Sequence, residues 1–139
     1  MELNRIASHL VCFGTYGIDI GAYTPFLYAF REREKILDLF EEVSGARMTY
    51  NYIRIGGVMA DLPEDWIGKC RSFLEWMKPR FEEYDALLTG NPIFQDRTKG
   101  VGVLPKDLAI QYGVSGPNLR GSGVGFDLRK DEPYCQYDK

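Results

Sequence analysis

Two adjacent helical patterns in the first 45 residues constrain the fold more than any other feature. From Glu2 to Ile20, apolar and small residues recur on one face at about 100° per residue; they are Leu3, Ile6, Leu10, Phe13, Gly14 and Gly17. A second pattern starts at Thr24-Pro25, a capping residue followed by proline, and stops at Ser44-Gly45. Gly17 and Gly21 are spaced to let another helix come close. The sequence therefore predicts helices throughout residues 1–45.

The rest of the chain predicts one extended segment and further helices. Residues 49–58 alternate and are rich in β-forming types, which predicts a short strand or hairpin. Asp61-Leu62-Pro63-Glu64 is typical of a capping box that opens a long helix over residues 61–89, with a kink at Pro79. Residues 90–139 contain short helices and loops between glycine-rich breaks. The expected fold is mainly α, a single bundle-like set of helices.

One carboxylate stands alone in an uncharged stretch. Asp19 is the only charged side chain from Leu10 to Phe30, and burying an ionised carboxylate without partners is costly. The helical pattern places it on the polar face, with Arg5, Ser8, Cys12 and Thr15. Asp19 is therefore expected to face water, to have a partner or to take part in chemistry. The stretch has the length of a membrane span, but its glycines, proline and tyrosines make it a poor one.

Charge and cysteine content argue against several classes of function. The chain has 17 Lys and Arg against 20 Asp and Glu, and a nucleic-acid surface needs a basic excess. Its three cysteines form no CxxC pair and its one histidine, His9, cannot build a metal site alone. We therefore predict no metal site and no nucleic-acid partner. The charged run Arg31–Lys35 is expected to be a solvated, salt-bridged helix face.

Several long motifs in a fixed order carry a family resemblance. They include "ELNRIASHL" (Glu2–Leu10), "DIGAYTPFLYAFREREKILDLFEEVSGARM" (Asp19–Met48), "YIRIGGV" (Tyr52–Val58) and "GVSGPNLRGSG" (Gly113–Gly123), followed by "DLRKDEPY" (Asp127–Tyr134). Together they resemble the quinone-site subunit of NADH:quinone oxidoreductase, which is respiratory complex I. In bacteria this subunit is called the D subunit, and it is similar to the H subunit of the plastid enzyme. The resemblance implies a fragment of a longer polypeptide with a fold like that of the nickel–iron hydrogenase large subunit.

The resemblance also implies roles for three residues of the first helix. Asp19 matches a catalytic aspartate that hydrogen-bonds the quinone-site histidine and supplies protons for quinone reduction; that histidine is expected to lie outside this fragment. His9 matches a histidine near the iron–sulfur cluster bound by the neighbouring subunit. Arg5 lies one turn earlier and is expected to share that environment.

Cofactors, partners and location follow from the same resemblance. The whole complex passes electrons from NADH through flavin and iron–sulfur clusters to quinone and couples this to proton translocation. The fragment itself is expected to bind no flavin, metal or cluster and to be inactive alone. Its expected partners are the iron–sulfur B subunit, the C subunit and the membrane H subunit of complex I, with self-association when isolated. The expected location is peripheral, on the cytoplasmic side of the bacterial cell membrane.

Two other interpretations remain open at the level of the sequence. One is a fragment of the large subunit of a membrane-bound nickel–iron hydrogenase, whose cysteine pairs would lie outside these residues. The other is a non-catalytic helical module in which Asp19 and His9 have no special role. Upstream sequence distinguishes the first alternative, and substitution of both residues in a whole complex distinguishes the second.

Overall fold

Two long helices form the centre of the first part of the chain. The computed structural model describes all 139 residues, which divide into two compact units, residues 1–97 and 98–139. The elements up to the division are α1 (Glu2–Asp19), α2 (Thr24–Ser44), β1 (Ile53–Arg54), β2 (Gly57–Val58), α3 (Trp66–Met77), α4 (Arg80–Tyr84), a π-helix (Asp85–Thr89) and α5 (Pro92–Thr98). The prediction of a mainly helical fold with one short hairpin is confirmed.

Small residues let α1 and α2 pack closely. A Cβ atom added at Gly14 would lie 3.0 Å from the Phe26 Cα, and one at Gly17 would lie 2.9 Å from the carbonyl oxygen of Ala22. Ala29 of α2 is fully buried at the same interface. The close approach predicted at Gly17 is therefore confirmed. At the other end of α2, Gly45 adopts φ 75° and ends the helix where the sequence predicts.

The core of the first unit lies where α2 meets α1 and α3. The buried side chains of this core are Ala7, Leu10, Ala29, Ile36, Leu37, Leu39, Phe40, Phe73, Met77 and Tyr84. The indole nitrogen of Trp66 donates a hydrogen bond of 2.9 Å to the Leu39 carbonyl, which ties the start of α3 to α2. The Tyr50 ring packs on Phe40 with centroids 4.6 Å apart.

A two-stranded hairpin follows the core helices. β1 and β2 are antiparallel, with Ile53 opposite Val58 and Arg54 opposite Gly57. Gly56, at the turn, has φ 90°, a conformation in which glycine has no steric penalty. The hairpin predicted over residues 49–58 is present, although its strands have only two residues each.

The long helix expected from Asp61 begins later and is interrupted. The Asp61 carboxylate accepts a hydrogen bond of 2.8 Å from the adjacent Leu62 amide, so it does not cap a helix. α3 begins at Trp66, and Pro79 separates α3 from α4. The interruption predicted at Pro79 is present, whereas the start at Asp61 and the capping box are wrong. Phe81, just after the interruption, is exposed.

Three short helices make up the second unit. They are α6 (Lys106–Gln111), α7 (Gly116–Gly121) and α8 (Leu128–Asp131), and Ala109 and Leu119 are buried between them. All three lie within residues 90–139, where short helices and loops are predicted. The Asp127 carboxylate caps α8 by accepting a 3.0 Å hydrogen bond from the Arg129 amide. No helix of the chain combines the length and the apolar character needed to cross a membrane.

Candidate functional site

Asp19 is the last residue of α1, and its side chain is exposed. The carboxylate makes no hydrogen bond or ion pair within the chain, and the last turn of α1 contains no basic residue. A carboxylate at the C-terminal end of a helix is unfavourable, because the helix dipole is negative there. The Arg97 guanidinium donates a hydrogen bond to the carbonyl of Ile20, the next residue, and so brings positive charge to this end of α1.

The turn between α1 and α2 determines where Asp19 lies. The Ala22 amide donates a 2.7 Å hydrogen bond to the Gly17 carbonyl, and the Gly21 amide donates one of 2.9 Å to Ile18. Because Gly17 also packs against Ala22 and Pro25, the end of α1 has little room to shift. Asp19 is therefore an exposed carboxylate on a rigid support, accessible to a group from outside the chain.

The other two candidate residues lie toward the beginning of α1. His9 is exposed, and Arg5 is half-buried with its Nε 3.0 Å from the Glu2 carboxylate. His9 and Asp19 are ten positions apart, about 15 Å along the helix axis. The structure thus places the three predicted residues on one helix but does not bring them together. No three His, Cys, Asp or Glu side chains of the chain are grouped in a way that could hold a metal ion.

Sequence reasoning missed a buried ionic cluster between α2 and α4. Glu32 is 0% exposed, and its Oε1 accepts hydrogen bonds of 2.8 and 2.6 Å from the Arg31 guanidinium. Arg31 also donates to Glu83 at 2.8 Å, and Glu83 accepts a 2.5 Å bond from Arg80. The Nε of Arg80 lies 4.0 Å from the Glu32 Oε1. The expectation that the whole run Arg31–Lys35 is solvated is therefore wrong at Glu32.

Tyr84 completes this ionic cluster. Its hydroxyl is buried and lies near Glu32, but no hydrogen bond of ordinary geometry joins the two groups. Burial, followed by the nearby Glu32 carboxylate, raises the pKa of Tyr84. Hydrogen bonds from Arg31 and Arg80 lower the pKa of Glu83. A spacing of three or four residues links Glu32 to Ala29 and Ile36 on the buried face; this signal in the sequence would have located the carboxylate.

A protein-family model matches most of the chain. It describes the 49 kDa subunit of respiratory-chain NADH dehydrogenase and matches residues 19–139. The matched family is related to the fold of the hydrogenase large subunit, so the predicted fold class is confirmed.

Individual relatives agree with the family model. The D subunit of NADH-quinone oxidoreductase from Geobacillus thermodenitrificans is 58% identical over 139 residues, which are 100% of this chain and 38% of the relative. The corresponding protein from Chlorobium chlorochromatii is 56% identical over 99% of this chain and 34% of its own length. The chain therefore spans little more than a third of the curated relatives that it matches.

A solved structure provides an independent comparison of the fold. A chain of the membrane-bound sulfane sulfur reductase, an archaeal respiratory membrane complex, superposes with a TM-score of 0.93 at 37% sequence identity. The similarity covers 98% of this chain and 37% of that chain. The matched family and the curated relatives are named for NADH oxidation, so the hydrogenase alternative is not favoured.

Proposed function

Because the chain belongs to the family of the 49 kDa subunit of respiratory-chain NADH dehydrogenase, we propose that it forms part of the quinone-reduction site of an NADH-quinone oxidoreductase. The observation that carries this proposal is the 58% identity with the Geobacillus D subunit, which extends over all 139 residues. Within that enzyme, electrons pass from NADH through iron–sulfur clusters to quinone, coupled to proton translocation. The 139 residues act as one piece of the quinone-site polypeptide and are inactive alone.

Asp19 serves in this proposal as a proton relay of the quinone site. Its partner is a histidine outside these 139 residues, and the exposure of Asp19 leaves it accessible to such a partner. A hydrogen bond that the Asp19 carboxylate accepts from a histidine N–H stabilises the imidazolium form of that histidine. Because histidine titrates near neutral pH, the pair can hold and release a proton there.

The substitution Asp19→Asn in the complete enzyme tests this role. Asparagine keeps the shape and removes the charge, so the histidine's proton affinity and the rate of quinone reduction should fall sharply. Assembly of the complex and NADH oxidation with artificial acceptors should not change, since the Asp19 side chain is exposed. Asp96→Asn is a matched control, because Asp96 is also exposed and lies outside α1. Normal quinone reduction by the Asp19 variant would instead support the non-catalytic helical module.

His9 and Arg5 lie near the iron–sulfur cluster of the neighbouring subunit in this proposal. Both lie on α1, His9 exposed and Arg5 half-buried. A nearby positive charge stabilises the reduced cluster and raises its potential. The change Arg5→Gln removes that charge, so it is expected to lower the reduction potential of the cluster, measured by redox titration of the complete enzyme. An unchanged potential would place Arg5 outside the cluster's environment.

The remaining parts of the proposal concern partners and location. We place the chain among the iron–sulfur B subunit, the C subunit and the membrane H subunit, as a peripheral protein on the cytoplasmic side of the membrane. NADH, quinone and iron–sulfur clusters belong to the whole complex. Large apolar side chains are exposed in both units, including Ile55, Ile93 and Val103, so the isolated chain should self-associate. Light scattering tests this, and a monomer at high concentration would count against it.

A further inference from the structure

A cleft between α1 and α2 lies apart from Asp19. It has a volume of about 620 Å³ and is bounded on its third side by residues 47–50. Its apolar lining consists of Ala7, Val11, Leu37, Phe40 and Met48. Polar groups at its wall come from Asn4, Ser8, Cys12, Arg33, Arg47, Thr49 and Tyr50. At one edge, the Tyr50 hydroxyl donates a 2.5 Å hydrogen bond to the Asn4 side chain.

Two arginines line this cleft, and Arg33 is the one without an anionic partner. It makes no hydrogen bond or ion pair, and its Nε is buried without an acceptor. Its guanidinium carbon lies 5.4 Å from the centroid of the Phe30 ring, which supplies no acceptor atom. By contrast, Arg47 at the same cleft is paired with Glu34, Asp38 and Glu41. The surplus positive charge of the cleft therefore belongs to Arg33.

Arg33 is only half-buried and lines the cleft, so its unpaired guanidinium can accept an anionic partner that enters the cleft. Burial raises the pKa of the Tyr50 phenol, and the positive charge of Arg33 offsets part of this rise. The charge of Arg33 is therefore close enough to act on Tyr50 across the cleft. Arginine binds a carboxylate with two parallel hydrogen bonds, a geometry that a planar acid matches well. The apolar lining suits a ligand that also has hydrocarbon groups, which a bare inorganic anion lacks.

We propose that this cleft receives an Asp or Glu side chain of a protein partner, with the carboxylate on Arg33 and apolar neighbours against Val11, Leu37 and Phe40. The occupant is a segment of a neighbouring subunit, packed on this face in the assembled enzyme. This inference rests on the proposed function, since it requires that the chain be part of a larger assembly. The relatives are named as one subunit of a larger oxidoreductase, and neighbouring subunits pack against one another in such an assembly.

Cys12 provides a probe inside the cleft. Its thiol is exposed and lines the same wall as Ser8, so a docked side chain would shield it from alkylation. We expect iodoacetamide to modify Cys12 in the assembled enzyme roughly ten times more slowly than in the 139-residue chain, because access controls thiol modification. A photo-crosslinker attached to Cys12 should link to a peptide with an Asp or Glu beside apolar residues.

Substitutions identify the contribution of Arg33. Arg33→Gln should restore most of the Cys12 modification rate in the assembled enzyme, and Arg33→Lys should restore less of it, because lysine keeps the charge. Arg71→Gln is the matched control: Arg71 is exposed on α3, outside the lining of the cleft, and its removal should not change the rate. Each variant should still be found in the purified enzyme together with the other subunits, which shows that the subunits assemble.

Different failures have different meanings. If the chain does not assemble with its neighbours at all, the proposed function is wrong. If it assembles and Cys12 reacts as fast as in the isolated chain, the cleft is open and the docking proposal is overturned. It is also overturned if inorganic phosphate alone shields Cys12 in the isolated chain, or if the cross-linked peptide lacks a carboxylate.

Discussion

Removal of the buried charge at Glu32 should destabilise the first unit strongly. In the structure, its Oε1 accepts two hydrogen bonds from Arg31, at 2.8 and 2.6 Å, and the side chain has no exposed surface. Glu32→Gln keeps the size and one acceptor oxygen but removes the negative charge. Arg31 retains its bond to Glu83, so the substitution removes one ion pair of the cluster and leaves this one in place.

The magnitude follows from the loss of the ion pair between Glu32 and Arg31. Because Arg31 stays charged, its hydrogen bonds in the Glu32→Gln variant remain charge-assisted. The main loss is that of one charge from a buried pair, which costs about 3–5 kcal/mol when the pair is fully buried. The Arg31 side chain is 40% exposed, so water replaces part of this loss, and we expect a net decrease of about 2 kcal/mol. Glu32→Ala also removes the acceptor and leaves a cavity, so its cost should reach about 3–4 kcal/mol.

Urea unfolding of the 139-residue chain, followed by far-UV circular dichroism, measures these losses. Thermal unfolding should show a decrease of about 8 °C for Glu32→Gln, at roughly 4 °C per kcal/mol for a chain of this size. Glu75→Gln is the control, because Glu75 is 71% exposed and pairs with Lys78 only at the surface. Its effect should stay below about 0.5 kcal/mol. Equal effects of the two glutamine variants would refute the reasoning, since burial would then make no difference to the value of the charge.

Three further perturbations test other contacts. Gly17→Ala should destabilise the first unit by about 1–2 kcal/mol in urea unfolding, because the added methyl meets the Ala22 carbonyl oxygen at 2.9 Å; equal or greater stability would mean that the helices separate easily. Because folding raises the pKa of Tyr84, stability is retained below the pKa of an unfolded tyrosine, about 10, and is lost as pH rises through the folded value. Tyr84→Phe should therefore lose less stability than the parent chain above that pH, and parallel curves would contradict the assignment. Hydrogen bonds from Arg129 lower the pKa of Asp127, so its contribution is present above about pH 4 and is lost as pH falls toward the folded value; Asp127→Asn should show a shallower acid-induced loss of helical signal, and an unchanged slope would refute this.

The helix pair could be predicted because its pattern is regular. Leu10, Gly14 and Gly17 recur at helical spacing, and they are the buried positions of α1 together with Ala7. The burial of Glu32 was not predicted, because a run of charged residues usually faces water. Its spacing from the buried residues of α2, however, places it on the buried face of that helix. The start of α3 was missed because Asp61 bonds to its neighbour's amide, a local competition that composition does not reveal.

The candidate site could be predicted only as a location. The polar face of α1 is exposed as expected, and Asp19 lies on it. Its role stays a prediction, because the partner that the resemblance implies lies outside these residues. The unpaired state of Arg33 could not be predicted either, because neighbouring glutamates in the sequence bind other arginines in the fold.

The unbroken course of α1 has a geometrical consequence for the proposed chemistry. His9 and Asp19 belong to one helix whose end is held by the Gly17 turn, and a helix rises about 1.5 Å per residue. Their separation of about 15 Å along the axis therefore stays constant as long as α1 remains helical. It sets the distance from His9, proposed to lie near the electron-donating cluster, to Asp19, proposed to supply protons. A rearrangement that moved one of them relative to the other would have to unwind the helix between them, whereas a tilt of the whole helix would carry both together.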